Sequence, residues 1–441
     1  MTNGDGAAAF GYEVPVDYRR LENGLRVVLS PERSAPVVTV GVYYEVGFRL
    51  EPRGRSGFAH LFEHLMFQGS EHLAKMEFVR LIQQNGGMLN GSTRTDFTNY
   101  FEVLPKAALE LALWLEADRM RGPVITQEAL DNQRDVVKNE VRVNVLNRPY
   151  GGFPWLDMTE RAFSNWHNAH NGYGEFADLD AADLDDVRRF FESYYSPRNA
   201  VLVVVGDIDV ESTFELVQRE FESIEGPEPP AAPDLSEPAP TEERRFAKQD
   251  PLATRPALAF AYHTPERATP QFAALGVLHQ LLGQGDDALL HRELVHRRGY
   301  SSAVAAGMNF LGNMHNARTP LLWTCSLVHD AGVTLEEILA AADGVIEPLR
   351  AAPVSDAQFE LALVKARASL YDTLASSWFP GLGRLDLLAS FALFDDDPGR
   401  INRLEAEQRA LTPAIVQQTA HEYLDPARRT VIALEPGGNG A

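Results

Sequence analysis

Two histidines and a glutamate are grouped within five residues near the start of the chain, in the segment His60-Leu61-Phe62-Glu63-His64. Histidines four residues apart lie on one face of a helix, so both imidazoles can reach the same tetrahedral Zn²⁺. Glu63 precedes the second histidine and can face the same point. Because the flanking residues are apolar on every side, the helix is expected to be buried. Three ionisable groups in a buried helix need a partner, so the pattern predicts a metal centre.

An alternative interpretation makes both histidines core residues that bond backbone carbonyls, with Glu63 paired to an arginine. Desolvating an unpaired carboxylate costs several kcal/mol, whereas one divalent cation satisfies all three groups. The metal interpretation is therefore favoured. The motif is the inverted zinc-peptidase signature, and it becomes specific only with a third ligand and a substrate strand.

A catalytic zinc site has three protein ligands and one open position for water, so a neighbouring helix is expected to supply the third ligand. Over residues 126–145 the spacing places four side chains on one helical face: Gln133, Val137, Glu140 and Asn144. Glu140 is the acidic member of that face and the candidate ligand. Two other acids of the same helix, Glu128 and Asp135, point elsewhere and are expected to be solvated.

The elements that must position these residues are strands and helices in irregular order. Asn23-Gly24 separates two β-rich stretches, which is a hairpin signal, and a further β-rich run covers residues 37–46. Helical periodicity then dominates, with one alternating stretch between; the helices are predicted over 58–67, 76–84, 106–120 and 127–145, and the alternating stretch over 88–103. This mixture predicts an α+β fold rather than a doubly wound sheet.

With 441 residues, the chain is long enough for two domains of about 200 residues each. Residues 226–240 contain six prolines and few apolar residues, which favours an extended, semi-rigid connection. We therefore predict an N-terminal domain over residues 1–225, a proline-rich linker over 226–249 and a C-terminal domain over 250–441.

The two predicted domains resemble each other in sequence pattern. A helix and strand over 185–205 recur over 413–434, and a strand and helix beginning at Pro36 recur from Pro256. The economical interpretation is an internal duplication. The second copy has only His279 where the first has its histidine cluster, so the metal site is expected in the first domain alone.

The chain resembles the pitrilysin/insulinase family of zinc metallopeptidases, which includes the mitochondrial processing peptidase. The family pattern is the inverted motif followed after about 75 residues by a glutamate ligand, and here 75 residues separate His64 from Glu140. Further matching segments are Gly86–Gly91, Thr95–Tyr100, Asn132–Val137, Tyr195–Pro197 and Val203–Asp207. Two positions depart from the family: Gln133 replaces a second glutamate, and Asn90-Gly91 replaces Asn-Ala in the substrate strand.

The resemblance implies two homologous α+β halves and one Zn²⁺ per chain, held by His60, His64 and Glu140. Glu63 would be the general base, taking a proton from water as it attacks a peptide carbonyl. A peptide would bind as a strand beside Asn90 and Gly91 through main-chain hydrogen bonds. Family members enclose a chamber between bowl-like halves, which would suit short peptides or unfolded leader segments.

Active members of the family also place an arginine and a tyrosine from the second domain over the zinc, where they stabilise the tetrahedral intermediate. The strand Leu321–Leu327 and the loop Val328–Val333, where we would expect them, contain neither residue type. Arg255 and Tyr262 have suitable spacing but flank a predicted strand, and we interpret them as structural. We therefore predict a heterodimer whose related, zinc-free subunit supplies the missing pair; a homodimer could not supply residues that neither chain has.

Other functional classes are less compatible with the sequence. The alternative within the family is a non-catalytic structural or docking subunit, against which the complete set of four motif residues argues. The formal charge of −22 opposes binding to nucleic acid or anionic membranes. The single cysteine, Cys325, is expected to be a core thiol. Residues 1–10 lack the features of a secretory signal and no stretch approaches a membrane span, which predicts a cytoplasmic protein.

Overall fold

The computed structural model of the chain describes residues 12–375 and 379–437. Within these residues, the strands of the first half are β1 (Asp17–Arg20), β2 (Arg26–Pro31), β3 (Val37–Tyr44), β4 (Met88–Thr93), β5 (Thr98–Pro105) and β6 (Ala200–Gly206). Its α-helices are α1 (Phe58–Leu65), α2 (Glu77–Gln84), α3 (Leu109–Arg121), α4 (Gln127–Val141), α5 (Trp155–Ala162), α6 (Trp166–Ala169), α7 (Phe176–Asp180), α8 (Leu184–Tyr194) and α9 (Val210–Phe221).

The second half repeats this mixture. Its described strands are β7 (Arg244–Asp250), β8 (Ala257–His263), β9 (Ala305–Gly307), β10 (Leu322–Val328) and β11 (Thr430–Pro436). Its α-helices are α10 (Pro270–Leu282), α11 (Leu289–His291), α12 (Leu335–Ala351), α13 (Asp356–Leu374), α14 (Leu382–Asp395), α15 (Leu404–Arg409) and α16 (Pro413–Tyr423). The chain is thus an α+β protein, as predicted.

The two halves have corresponding sheets, which confirms the predicted duplication. The strand order is β1-β2-β6-β3-β5-β4 in the first sheet and β7-β11-β8-β10-β9 in the second. The pairs β2/β6 and β7/β11 are parallel, and the neighbouring pairs in both sheets are antiparallel. The second sheet therefore reproduces the first without an equivalent of β1. By this correspondence α10 is the counterpart of α1, and the edge strand β9 is the counterpart of β4.

Most of the predicted elements are confirmed. The turn at Asn23-Gly24 joins β1 to β2 as an antiparallel hairpin. Cys325 is fully buried in β10. The end of the predicted linker was wrong, because residues 244–249 lie in β7 and pair with β11. This strand is at the edge of its sheet and is rich in charged residues, and such edge strands have a linker-like composition.

Each sheet is covered on one face by a helix from the other half of the chain. In β6, Ala200, Leu202 and Val204 face the core of the first half, while Val201, Val203 and Val205 face α14 of the second half. Reciprocally, α5 of the first half packs on the second sheet. The two halves are in close contact here. A Cβ added to Gly41 in β3 would lie 2.8 Å from Cδ2 of Leu385 in α14.

Replacing Leu385 by alanine should lower the free energy of unfolding by about 2–5 kcal/mol, because this fully buried side chain fills the contact between α14 and the first sheet. Urea denaturation followed by circular dichroism would measure the change. Leu361→Ala on α13 is the matched control, since that leucine is half exposed and its loss should change stability by less than about 0.5 kcal/mol. Equal stability of the two variants would contradict the packing described above.

No helix within residues 12–375 and 379–437 is long and apolar enough to cross a membrane. Residues 1–10, on which the expectation of a cytoplasmic protein partly rested, lie outside the described residues.

Candidate metal centre

Helix α1 presents its three ionisable side chains on one side. Phe58, Leu61, Phe62 and Leu65 pack into the core of the first half. The remaining side of the helix, with His60, Glu63 and His64, faces α4 and strand β4. His60 is only 7 % exposed, while the side chains of His64 and Glu140 are 22 % and 31 % exposed, so the site is partly shielded from solvent.

Helix α4 supplies the third group. The hydroxyl of Thr126 caps its start by accepting a hydrogen bond from the backbone N–H of Ala129 at 3.1 Å. Its buried face consists of Leu130, Gln133, Val137 and Val141. Glu140 lies beside this face and points toward α1. Asn144, predicted on the same face, is exposed in a π-helical turn over Arg142–Leu146, where the wider turn changes the register.

The donor atoms of these two helices converge. His60 Nε2 lies 3.7 Å from Glu140 Oε1, and His64 Nε2 lies 3.4 Å from Glu140 Oε2. One ligand atom from each of the three residues falls within 4.8 Å of the others. Ligands about 2.0–2.1 Å from a tetrahedral zinc ion are roughly 3.3–3.4 Å apart, so the observed separations fit a single ion.

The ionisation states also suit a metal site. Burial, with a further contribution from His64, lowers the pKa of His60 to about 4, so its imidazole is neutral at pH 7. The hydrogen bond from His64, partly opposed by burial, lowers the pKa of the Glu140 carboxyl, which is therefore ionised. A neutral imidazole and a carboxylate are the forms that bind divalent metals.

Glu63 lies outside the trio of candidate ligands. Its Oε2 accepts a hydrogen bond of 2.7 Å from the hydroxyl of Thr93 at the end of β4. Burial raises the pKa of Glu63, and the bond from Thr93 opposes that shift. A carboxylate with a raised pKa next to a metal site is suited to accepting and returning a proton.

Strand β4 runs past Glu63 and forms the edge of the first sheet. A Cβ added to Gly91 would lie 3.2 Å from Cγ of Glu63, so the strand backbone and the carboxylate are in close contact. Asn90 is exposed, and its side-chain oxygen accepts a hydrogen bond from the N–H of Gly91. The outer side of β4 pairs with no strand of the described chain, and an extended peptide could add there.

The second half places its candidate residues elsewhere. His279 lies on α10, and burial lowers its pKa to about 4. Arg255 pairs with Asp330 at 2.5 Å, and Tyr262 is buried in the core of that half. Within residues 12–375 and 379–437, no second trio of histidine, cysteine or acidic side chains converges as the first does.

Two residues at the site were not predicted from the sequence. Thr93 bonds the carboxylate of Glu63, and the ring of Tyr173 lies edge-on to that of His60, with centroids 5.1 Å apart. An aromatic residue between two glycines, Gly172 and Gly174, was the available signal for Tyr173.

Comparison with known proteins identifies the family. Residues 26–149 match the family model described as insulinase (peptidase family M16), and residues 181–364 match that of the peptidase M16 inactive domain. These matches together span well over half of the chain, and they confirm the resemblance noted in the sequence.

Individual relatives agree with this result. The zinc protease PqqE of Helicobacter pylori is 28% identical over 94% of this chain and 92% of its own length. A protein of Arabidopsis thaliana, named as a probable beta subunit of the mitochondrial-processing peptidase, is 26% identical over 60% of this chain and 49% of its own length. The crystal structure of a protease from Helicobacter pylori superposes with a TM-score of 0.87, 26% identity and coverage of 96% of this chain and 100% of the other. The chain therefore belongs to the insulinase family of peptidases, family M16.

Proposed function

We propose that this chain is a zinc-dependent endopeptidase that hydrolyses peptides or unfolded leader segments. The observation that supports the proposal is the convergence of His60, His64 and Glu140 beside the carboxylate of Glu63 and the edge strand β4. Relatives named as zinc proteases support the choice of metal. Each chain would hold one Zn²⁺.

The roles of the residues follow from their positions. A zinc ion bound by His60, His64 and Glu140 would act as a Lewis acid toward a water molecule and a substrate carbonyl. Glu63 accepts a proton from the attacking water and returns it to the leaving amine. Strand β4 aligns the peptide through the backbone of Asn90 and Gly91, which gives affinity with little sequence preference.

The chain is further proposed to be the catalytic subunit of a heterodimer. The expected positions of the oxyanion-stabilising arginine and tyrosine contain neither residue type. Arg255 pairs with Asp330, and Tyr262 is buried in the core of the second half. A related subunit without the zinc motif would supply the pair. The relative named as a peptidase beta subunit is consistent with such an assembly.

The purified chain is expected to bind zinc but to cleave a quenched fluorogenic peptide at least about 100-fold more slowly than its mixture with a related protein of the same organism that lacks the zinc motif, because oxyanion donors contribute about that factor. Size-exclusion chromatography would report the complex. Full activity of the chain alone would contradict the heterodimer.

The second candidate is a non-catalytic docking subunit. It is favoured by the absence of an arginine and tyrosine at the expected positions. Zinc binding without hydrolysis of any peptide, in the presence of the related protein, would support this candidate and exclude the peptidase.

A further inference from the structure

The metal-binding helix α1 begins without a capping side chain of its own. Its N-cap residue is Gly57, with φ of +84°, and no side chain at that position can accept a hydrogen bond. The carboxylate of Glu51 takes this role. Its Oε2 accepts from the N–H of Gly57 at 2.9 Å, and its Oε1 accepts from the N–H of Ala59 at 2.8 Å. Both oxygens thus hold the turn that immediately precedes His60.

Glu51 is completely buried, so its charge requires compensation within the protein. The positive end of the α1 dipole provides part of it. His170 provides a second contact, with its Nε2 lying 3.1 Å from Oε2 of Glu51. The other ring nitrogen of His170 lies 3.0 Å from the carbonyl oxygen of Trp166. Since oxygens face both nitrogens, the orientation of the ring is fixed at both ends.

The segment that contains His170 packs directly against the start of α1. Its ring stacks on Trp166 with a centroid separation of 4.0 Å and an interplanar angle of 5°. A Cβ on Gly174 would lie 2.3 Å from the carbonyl oxygen of Ser56, so the two backbones are in contact. Between these points, Tyr173 contacts the ring of His60. Residues 166–174 therefore touch α1 both at its cap and at a metal ligand.

We propose that Glu51 and His170 are positioning residues that set the direction of the His60 imidazole, with His170 acting through Glu51. This inference rests on the metal centre proposed above. Without the carboxylate, the first turn of α1 loses two hydrogen bonds, and His60, the third residue of the helix, lies in that turn. Metal affinity should therefore depend on a residue that does not bind the metal.

Glu51→Gln preserves the size of the side chain but removes its charge and one of its acceptors. Zinc affinity, measured by competition with a chromophoric chelator, is expected to fall about 10–100-fold. In the assembled peptidase at saturating zinc, kcat should fall while KM stays unchanged, because β4 is not altered. Zinc affinity and kcat equal to those of the wild type would overturn the inference.

A double-mutant cycle tests whether His170 acts through Glu51. His170→Gln alone is expected to weaken zinc binding, but in the Glu51→Gln background it should have little further effect. Fully additive losses would show that His170 acts independently and would overturn that part of the proposal.

Asp209→Ala provides the control. Asp209 caps α9, accepting a hydrogen bond from the N–H of Ser212 at 3.0 Å, and loss of this cap should lower the melting temperature without changing zinc affinity. An equal loss of zinc affinity in the control would show a general stability effect and overturn the proposal. The zinc measurement needs no hydrolysis, so weakened binding in Glu51→Gln would support the inference even if the chain proved not to be a peptidase.

Discussion

Replacing Glu63 by glutamine is expected to leave zinc affinity within a few-fold of the wild type and to reduce peptide hydrolysis by about 10²–10⁴-fold. Glutamine has the size of glutamate, and its carbonyl oxygen can still accept the hydrogen bond from Thr93. The amide cannot accept a proton from water, however. The three ligand side chains are unchanged, so the metal should remain bound.

Elemental analysis and single-turnover hydrolysis of a quenched peptide, both on the assembled peptidase, would measure the two effects separately. Glu77→Gln, on the neighbouring helix α2 and away from the ligand group, is the control and should behave as the wild type. If Glu63→Gln hydrolysed peptide within a few-fold of the wild-type rate, Glu63 would not be the general base.

Replacing Glu140 by glutamine should weaken zinc binding by at least about 100-fold, because the effect of losing a ligand should exceed that of losing an outer contact. The amide removes the only negative charge in the trio of ligands. Hydrolysis should fall in parallel with zinc occupancy. Excess zinc is expected to restore part of the activity of this variant and none of that of Glu63→Gln.

The matched control for this prediction is Glu128→Gln, an exposed glutamate in the first turn of the same helix. Its zinc content and activity should equal those of the wild type. Full zinc occupancy of Glu140→Gln after dialysis against a weak chelator would mean that another residue is the third ligand.

The two histidines of the metal trio could be predicted from sequence because their geometry is local, and Glu140 could be predicted from the face of its helix and from the spacing typical of the family. His60 and His64 lie one turn apart on a helix, and Glu140 shares a helix with apolar residues at regular spacing. The structure brings these three together, while their role in binding zinc stays a prediction. The cap of α1 could not be found in this way. Glu51 reaches Gly57 and Ala59 across a turn that contains proline and glycine, and no periodicity links these positions.

The sequence also could not predict which helix packs on which sheet. Eight side chains of α14 are buried, and its apolar composition is typical of a buried helix. That composition does not indicate which half of the chain buries them. Hydrophobic burial has no direction, so an apolar helix pattern fits either sheet equally well. The strand β7 was missed for a different reason, since a charged edge strand and a polar linker have similar compositions.

Because each half contributes a helix that packs on the sheet of the other half, the order of synthesis affects how the protein folds. Ribosomes add about 5–20 residues per second, and α14 begins roughly 180 residues after β6 ends, so its arrival lags by roughly 10–35 s. During that interval Val201, Val203 and Val205 of β6 are not yet covered by α14. A nascent chain with such an exposed apolar surface is prone to aggregate. We therefore expect the isolated first half to need a chaperone, or the addition of the second half, to remain in solution.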